Sequence, residues 1–183
     1  ELVAEGVAKD RIEVLGNGAD VARFRAAAPA QKPPSLRGRP TLLFAGSCKP
    51  WHGIAFLLRA FAALRAQRPC GLWIVGDGPE RPAIEAAQHA FPGDIVCEGA
   101  VAHERMPGLL QAADVVTAPY TGSAPHYFSP LKIVEALAAG RPLLASRVPC
   151  VLATLQGHDP IGLFAADDVC DFVAAAERVL AAG

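Results

Sequence analysis

The 183-residue sequence predicts a doubly wound, Rossmann-like α/β fold, in which helices cover both faces of a parallel sheet. Three observations predict it. Several short segments are apolar along their whole length, as strands buried on both faces are. These segments alternate with stretches whose apolar residues recur at helical spacing. Gly and Pro turn signals separate the two kinds of segment, so each strand leads through a crossover helix to the next.

The regular alternation begins at Thr41 and predicts each element in turn. The predicted strands are Thr41 to Ala45, Leu72 to Val75, Ile95 to Glu98, Val115 to Ala118, Leu143 to Ala145 and Ile161 to Phe164. The predicted helices follow Gly53, run from about Pro82 to Ala90 and around Glu104 to Ala113, and begin at Ser129 and at Asp168. The segment 41–183 is therefore predicted to be one domain.

The N-terminal region has a different character. Residues 1–10 resemble the tail of a helix, and Arg11 to Leu15 is a strand candidate before a Gly-Asn-Gly turn signal. We therefore interpret 1–24 as the tail of an interdomain linker with a first strand, and the Pro-rich segment 25–40 as a connector. Because the first residue is Glu rather than Met, we expect the chain to be part of a longer protein.

Composition narrows the class of function. Seventeen basic residues against eighteen acidic ones give a net charge of −1, which disfavours nucleic acid as a partner. The five cysteines are widely spaced without a Cys-x-x-Cys motif, so we expect no disulfide framework or zinc site and a reducing, cytoplasmic setting. The sequence shows no membrane-spanning apolar run or signal peptide, and it leaves peripheral membrane contact through the full-length protein open.

The segment from Phe128 to Ser146 predicts an anion site. Ser129 is a good N-cap and Pro130 suits the first helical position. The backbone N–H groups of Leu131 and Lys132, the helix dipole and the Lys132 ammonium would together suit a diphosphate. Gly140 predicts a left-handed end to the helix.

Glu135 lies three residues after Lys132 in an otherwise apolar helical stretch, so both side chains share one face. A carboxylate there is costly unless it is exposed or hydrogen-bond donors satisfy it. A ligand hydroxyl pair would serve, and a salt bridge with Lys132 or Arg141 is the alternative.

The residues that follow each strand are the next candidates, because open parallel sheets bind ligands at the carboxyl ends of their strands. Each has a structural alternative. Gly76 belongs to a Gly-Asp-Gly-Pro turn that lacks the third glycine of a dinucleotide fingerprint. His52 fits a packed loop histidine, and Lys49 fits a solvated surface charge. The candidates at the strand exits are Gly46, Ser47, Lys49, His52, Gly76, Gly99, Val101, Tyr127 and Phe128.

The sequence contains no Ser-His-Asp order, His-Glu-x-x-His motif, Walker loop or Asp-x-Asp pair. We therefore expect metal-independent chemistry, no covalent nucleophile and no cofactor in this chain.

Taken in order, the landmarks resemble the C-terminal, donor-binding domain of a GT-B glycosyltransferase, and are most similar to the large family 4 group of retaining enzymes. The similarity spans nearly the whole chain. It rests on an Asn-Gly-Ala-Asp turn, a Trp-His-Gly helix start, a Val-Gly-Asp-Gly-Pro strand exit, Ala-Ala-Asp-Val, and a Ser-Pro-Leu-Lys helix that runs on to Glu-Ala-Leu-Ala-Ala-Gly-Arg-Pro.

The resemblance implies that this domain binds a nucleotide diphosphate sugar and that a separate N-terminal domain supplies the acceptor side. Glu135 matches the second glutamate of the family's Glu-x7-Glu motif, which holds the ribose hydroxyls. The turn after Ser129 matches the segment that meets the diphosphate, and the loop around Val101 matches the segment beside the base. The isolated domain is then expected to bind nucleotide and turn over poorly.

Three positions depart from the family pattern. Tyr127 stands eight residues before Glu135, where many relatives place the first glutamate, which contacts the donor sugar. Ser47 and His52 stand in the places of an arginine and a lysine that contact phosphate. Lys49 is a candidate to replace the lost charge, and His52 is a candidate phosphate donor.

Our main hypothesis is a retaining glycosyltransferase in which Lys132, Lys49 and Glu135 act on the donor. The alternative is a non-catalytic nucleotide-binding or scaffolding module derived from the same fold. A nicotinamide-dependent oxidoreductase is a weaker third hypothesis, because the glycine fingerprint is incomplete.

Overall fold

The computed structural model describes residues 2–13, 15–123, 130–158 and 162–182. Across these residues, six parallel strands form one sheet in the order β3-β2-β1-β4-β5-β6. The strands are β1 Thr41–Ala45, β2 Gly71–Val75, β3 Ile95–Gly99, β4 Val115–Ala118, β5 Leu143–Ser146 and β6 Leu163–Phe164. The order reverses between β1 and β4, as in a doubly wound sheet built from two halves.

Helices connect the strands and cover both faces of the sheet. They are α1 Val21–Ala26, α2 Ile54–Gln67, α3 Arg81–Ala90, α4 Met106–Ala112, α5 Leu131–Ala138, α6 Pro149–Leu155 and α7 Val169–Ala182. Short 3-10 turns at Lys9–Arg11, Pro34–Leu36, Pro50–His52 and His103–Arg105 lie between them.

The core has two halves, one on each face of the sheet. Strand side chains alternate between the faces, so Leu42 and Phe44 of β1 pack with α2, α3 and α7 on one face. Leu43 and Ala45 pack with α1, α4, α5 and α6 on the other. Because both faces are covered, the central strands are mostly apolar, and every residue of β1 and β2 is buried.

The predicted fold class is confirmed, and the element positions agree closely. The first strand has the predicted bounds, and α2 begins directly after Gly53 as its apolar spacing predicts. Helix α5 ends in the predicted left-handed glycine: Gly140 has φ +66°. The N–H groups of Gly140 and Arg141 donate to the carbonyls of Leu137 and Ala136, each at 3.0 Å, which is a Schellman ending.

Three predictions about individual elements are wrong. The strand predicted at Arg11 to Leu15 does not form in the described part of that segment, where Lys9–Arg11 is a 3-10 turn. Residues 2–6 are a turn rather than the tail of a helix. Pro130 is the residue before α5 rather than its first helical residue, because its ψ of 83° is not helical. The N-cap proposed for Ser129 lies outside the described residues.

Helix α6 was not predicted. It begins at Pro149, and the residue before it, Val148, has an extended backbone. Its buried residues are Cys150, Val151 and Leu155. The segment is short, and its apolar residues do not repeat over enough turns to show helical spacing.

Candidate functional site at the carboxyl edge of the sheet

The candidate site lies where the strand order reverses. Strands β1 and β4 are neighbours, and the chain leaves them in opposite directions, which opens a crevice at their carboxyl ends. The loop after β1 and the loop after β4 meet there, since the N–H of Thr121 donates to the carbonyl of Trp51 at 3.3 Å. This edge is the usual ligand position in an open α/β sheet.

Glycines allow the loops at this edge to approach one another. A Cβ added to Gly53, which has φ +75°, would lie 1.7 Å from the carbonyl oxygen of Pro119. A Cβ added to Gly76 would lie 1.9 Å from the carbonyl oxygen of Gly46. The Gly46 N–H donates to Val75 at 2.9 Å, and the Gly76 N–H donates to Gly99 at 2.7 Å. Close backbone contact therefore explains Gly53 and Gly76, and the contact of Gly46 and Gly76 with a nucleotide stays a prediction.

Lys132 lies at the centre of this edge. It projects from the first turn of α5, and its side chain is buried at 8% exposure. Its Nζ lies 3.9 Å from the ring centroid of Phe44 and 5.2 Å from that of Tyr120. It would lie 3.2 Å from a Cβ added to Gly46. Helix α5 covers one face of the sheet and Phe44 belongs to the other, so the lysine reaches over the carboxyl edge.

The Lys132 ammonium has no hydrogen-bond partner in the described structure. Burial lowers its pKa from the usual 10.5 to about 7, although the neighbouring Cys48 and Glu135 favour the charged form. A buried polar group without a partner is costly and calls for an explanation.

Glu135 lies in α5 with its side chain 14% exposed. Its Oε1 is 3.8 Å from Nε2 of His103, a residue that follows β3 and is 61% exposed. Burial raises the pKa of Glu135 against the lowering effects of His103, Lys132 and Arg23. From the sequence, a salt bridge of Glu135 with Lys132 or Arg141 was the alternative to a ligand contact. The described residues contain neither of these ion pairs. His103 is largely exposed, and the contact of the Glu135 carboxylate with a ligand hydroxyl pair stays a prediction.

His52 closes the other side of the site. It ends the 3-10 turn before Gly53, and its Nδ1 hydrogen-bonds the carbonyl oxygen of Ser47 and approaches the Ser47 hydroxyl at 3.3 Å. Its ring meets Tyr120 edge-on at 5.6 Å between centroids. Burial and then the nearby Lys132 lower the pKa of His52 to about 4. Near neutral pH this histidine is therefore uncharged and is not a substitute for a lysine cation.

Lys49 is exposed, and its Nζ lies 5.1 Å from the ring centroid of Trp51. This places its charge at the rim of the site rather than beside Lys132. Leu131, also exposed, begins α5, and the N–H of Ile133 donates to the carbonyl of Pro130 at 3.0 Å. The N–H groups of Leu131 and Lys132 therefore precede the first hydrogen bond of α5, as an anion site at a helix start requires.

The predicted base segment follows β3. Gly99 has φ +75°, and Val101 packs partly buried against the core. Arg81 flanks this segment: a Cβ added to Gly99 would lie 3.6 Å from its Nη1, and its Nε hydrogen-bonds Glu85 at 2.9 Å. Tyr127, Phe128 and Ser129 lie outside the described residues, so their predicted contacts stay predictions.

Two residues that contribute to the site are not among the candidates that the sequence indicates. Phe44 reads as an ordinary core residue, and only the fold shows that its ring lies under the Lys132 ammonium. His103 is absent from the residues that the sequence singles out, although it follows β3 and lies beside Glu135. Its position shortly after a strand end was the signal that could have found it.

No group of three His, Cys, Asp or Glu side chains suited to a metal ion occurs among the described residues. All five cysteines are free thiols. Within the described ranges, no helix has both the length and the apolar character needed to cross a bilayer.

Comparison with known proteins identifies the family. Residues 39–182 match the family described as Glycosyl transferases group 1. Phosphatidyl-myo-inositol mannosyltransferase of Mycolicibacterium smegmatis is 32% identical over 177 residues, which cover 96% of this chain and 44% of that protein. The 2-deoxystreptamine glucosyltransferase of Streptomyces kanamyceticus is 27% identical over 183 residues, which cover 98% of this chain and 45% of that protein. The chain thus spans less than half the length of these relatives.

Solved structures agree on the architecture. The crystal structure of Anabaena HepE in complex with UDP matches with a TM-score of 0.73 at 18% identity, over 98% of this chain and 50% of that one. At this identity the likeness shows the fold, a Rossmann-like domain that forms one half of a GT-B fold. Because the family match covers most of the sequence, the chain belongs to the glycosyl transferases group 1 family.

Proposed function

We propose that this chain is the donor-binding domain of a retaining glycosyltransferase, which transfers a sugar from a nucleotide diphosphate sugar to an acceptor. Family membership supports the proposal, since the relatives above are named as a mannosyltransferase and a glucosyltransferase. HepE, which shares the fold, has been crystallised with UDP and with UDP-glucose.

The observation that carries the proposal is the buried, unpartnered amine of Lys132 at the carboxyl edge of the sheet. A buried amine without a hydrogen-bond partner destabilises the folded protein. Such a costly group is typical of a functional site, where it binds a ligand. A diphosphate at the start of α5 would supply both the missing hydrogen-bond acceptors and the missing negative charge. The amine is therefore placed to hold charge that develops on the leaving phosphate.

Each of the remaining candidate residues would contact a different part of the donor. Glu135 would accept hydrogen bonds from the ribose hydroxyls, and the segment at Gly99 and Val101 would lie beside the base. Lys49 at the rim and the neutral His52 would contact the diphosphate from the other side. With lysine cations in this role, the chemistry proposed here needs no metal ion.

The acceptor side would come from an N-terminal domain, because the chain spans less than half the length of its relatives. We propose that this domain alone binds the donor and turns over poorly. The free cysteines suit a reducing, cytoplasmic setting, and contact with a membrane surface would arise through the full-length protein.

A thermal-shift panel tests the proposal. The panel contains UDP-glucose, GDP-mannose, UDP, GDP and NADH, and stabilisation by one base over the other assigns the nucleotide. We expect a nucleotide sugar to raise the melting temperature and NADH to leave it unchanged. Stabilisation by NADH alone would favour an oxidoreductase instead.

The alternative function is a non-catalytic module that kept the fold. One observation favours it: His52 is neutral where family members place a lysine cation. A folded protein that none of these nucleotides stabilises would support this alternative and contradict the proposed donor site.

A further inference from the structure

The environment of Lys132 has a consequence for how a donor would bind. Its Nζ is enclosed by the ring of Phe44 at 3.9 Å, the ring of Tyr120 at 5.2 Å and the backbone at Gly46. The ring faces attract a cation, which offsets part of the cost of burial. They provide no hydrogen-bond acceptor and no net charge.

The titratable groups around Lys132 come from the loop after β1, the loop after β4 and α5 itself, and most of them are uncharged near neutral pH. Burial raises the pKa of the Cys48 thiol to about 11, and burial also raises the pKa of Tyr120. His52 is neutral because its pKa is lowered to about 4, and Lys49 beside it is a further cation. Glu135, on the same helix, is the anion of this set, and it approaches His103 at 3.8 Å.

Two physical effects therefore act against a positive charge on Lys132 in the free protein. Burial in apolar surroundings penalises the ammonium form more than the neutral amine. The side chain also starts from the first turn of α5, where the helix dipole is positive. In agreement with this geometry, the pKa of Lys132 falls to about 7.

We propose that Lys132 loses its proton readily in the free protein and takes one up when the diphosphate of a nucleotide sugar binds beside it. The inference rests on the proposed function, because the diphosphate is the group that restores the charge. The proton comes from solvent and adds to the amine nitrogen, with no other bond formed or broken. Donor binding is thereby coupled to protonation at a single residue.

The sign of the coupling follows from linkage. Below about pH 7 the free protein already carries the proton, so affinity for the donor is insensitive to pH. Above that value each binding event must recruit a proton, and affinity falls by about tenfold per pH unit. UDP-glucose and GDP-mannose are suitable probes, because a diphosphate diester has no proton to gain near neutral pH.

Isothermal titration calorimetry tests the proposal with whichever of these two nucleotide sugars binds. Titrations at about pH 6 and about pH 8.5, in buffers with different ionisation enthalpies, count the protons exchanged. We expect close to none at the lower pH and close to one taken up at the higher pH. Lys132→Arg supplies a cation that stays protonated, and we expect it to remove both the uptake and the loss of affinity.

The variant His52→Gln distinguishes proton uptake by Lys132 from proton uptake by His52. If the proton goes to His52, uptake occurs below pH 7, fades above it and disappears in His52→Gln. If it goes to Lys132, uptake grows above pH 7 and persists in His52→Gln. The wild-type titrations decide the question even if Lys132→Arg fails to fold.

Binding with no proton uptake and constant affinity across this range would overturn the inference and leave the proposed function standing. Uptake that is lost in His52→Gln would overturn it as well. Failure of every nucleotide sugar to bind the folded protein would contradict the proposed function itself.

Discussion

Glu135 and Lys132 lie on one helix, and their environments differ. The carboxylate is close to His103, which is largely exposed, whereas the amine is buried against aromatic rings with no partner in the described structure. A hydroxyl-bearing ribose suits the first environment and an anionic diphosphate suits the second. The two residues can therefore be tested separately.

We expect Glu135→Gln to weaken binding of a nucleotide by roughly tenfold to a hundredfold. The reason is the loss of charge-assisted hydrogen bonds to the ribose hydroxyls, worth about 1.5–3 kcal/mol. Calorimetric titration of the variant measures the effect. Glu177→Gln is the matched control. The Glu177 carboxylate pairs with Arg68 at the C-terminal end of α2, whereas the candidate site lies at the N-terminal end of this helix. Equal affinities for wild type and Glu135→Gln would remove Glu135 from the ribose site.

Lys132→Met is expected to stabilise the fold while it abolishes donor binding. Methionine fills a similar volume without an unpaired buried amine, so the free energy of unfolding should rise by about 1–3 kcal/mol. Urea unfolding measures it, with the exposed Lys9→Met as control.

The stability gain from Lys132→Met should depend on pH. The folded pKa of Lys132 is lowered, so the folded state binds fewer protons than the unfolded state between about pH 7 and 10.5. The free energy of unfolding of the wild type therefore rises with pH across this range. The difference in this free energy between Lys132→Met and the wild type is largest below about pH 7. A destabilised Lys132→Met would show that the lysine has a structural role.

At the scale of elements, the strands and the central helices were predictable because their signal is local. Apolar runs bounded by Gly and Pro identify β1 to β5 to within a residue or two, and the spacing after Gly53 identifies α2. Helix α6 and the false strand near Arg11 are short segments, in which too few residues repeat to distinguish a strand from a turn or a helix.

The site was predictable in its parts and not in its arrangement. The position of Lys132 and Glu135 on α5 follows from their spacing of three residues. The ring of Phe44 under the ammonium and the approach of His103 to Glu135 depend on which strands become neighbours in the sheet. Such contacts between distant parts of the chain have no local sequence signal.

The approach of the loop before α2 to the loop after β4 predicts a strong effect of Gly53→Ala. The added methyl would lie 1.7 Å from the Pro119 carbonyl oxygen, so we expect a loss of more than about 4 kcal/mol or failure to fold. Gly140→Ala is the control: its φ is also positive, but an added Cβ meets nothing within 4 Å. Its cost should be about 1–2 kcal/mol. Equal midpoints in urea would contradict this explanation.

Asp94 joins three elements and predicts acid sensitivity. Its carboxylate accepts hydrogen bonds from Arg39, before β1, and from Arg65 of α2 at 2.7 Å. Burial raises its pKa, but these two arginines outweigh burial and hold the pKa below the usual 3.8. Asp94 therefore contributes fully to stability above about pH 3.8, the usual pKa of the group. This contribution is lost as the pH falls through the lowered pKa of the folded protein.

We expect Asp94→Asn to destabilise the protein by about 1–3 kcal/mol near neutral pH and to cost progressively less in acid. Urea unfolding across the acid range measures the difference. The exposed Asp10→Asn serves as control. A constant difference at all pH values would show that the arginines do not depend on the charge of Asp94.

At the scale of the whole molecule, the doubly wound sheet brings the candidate residues to one edge. The reversal between β1 and β4 places the Gly53 loop, Tyr120 and the start of α5 together, although they are far apart in sequence. The chain belongs to the glycosyl transferases group 1 family, and the nucleotide-sugar site proposed for it lies at this edge.

The most direct test of the donor site is a crystal structure of the protein with a bound nucleotide sugar. The proposal predicts a diphosphate oxygen within about 3 Å of Lys132 Nζ and ribose hydroxyls at the same distance from the Glu135 carboxylate. A nucleotide bound elsewhere, for example in the groove between Arg23 and Gly108, with the Lys132 amine still unpartnered, would contradict it.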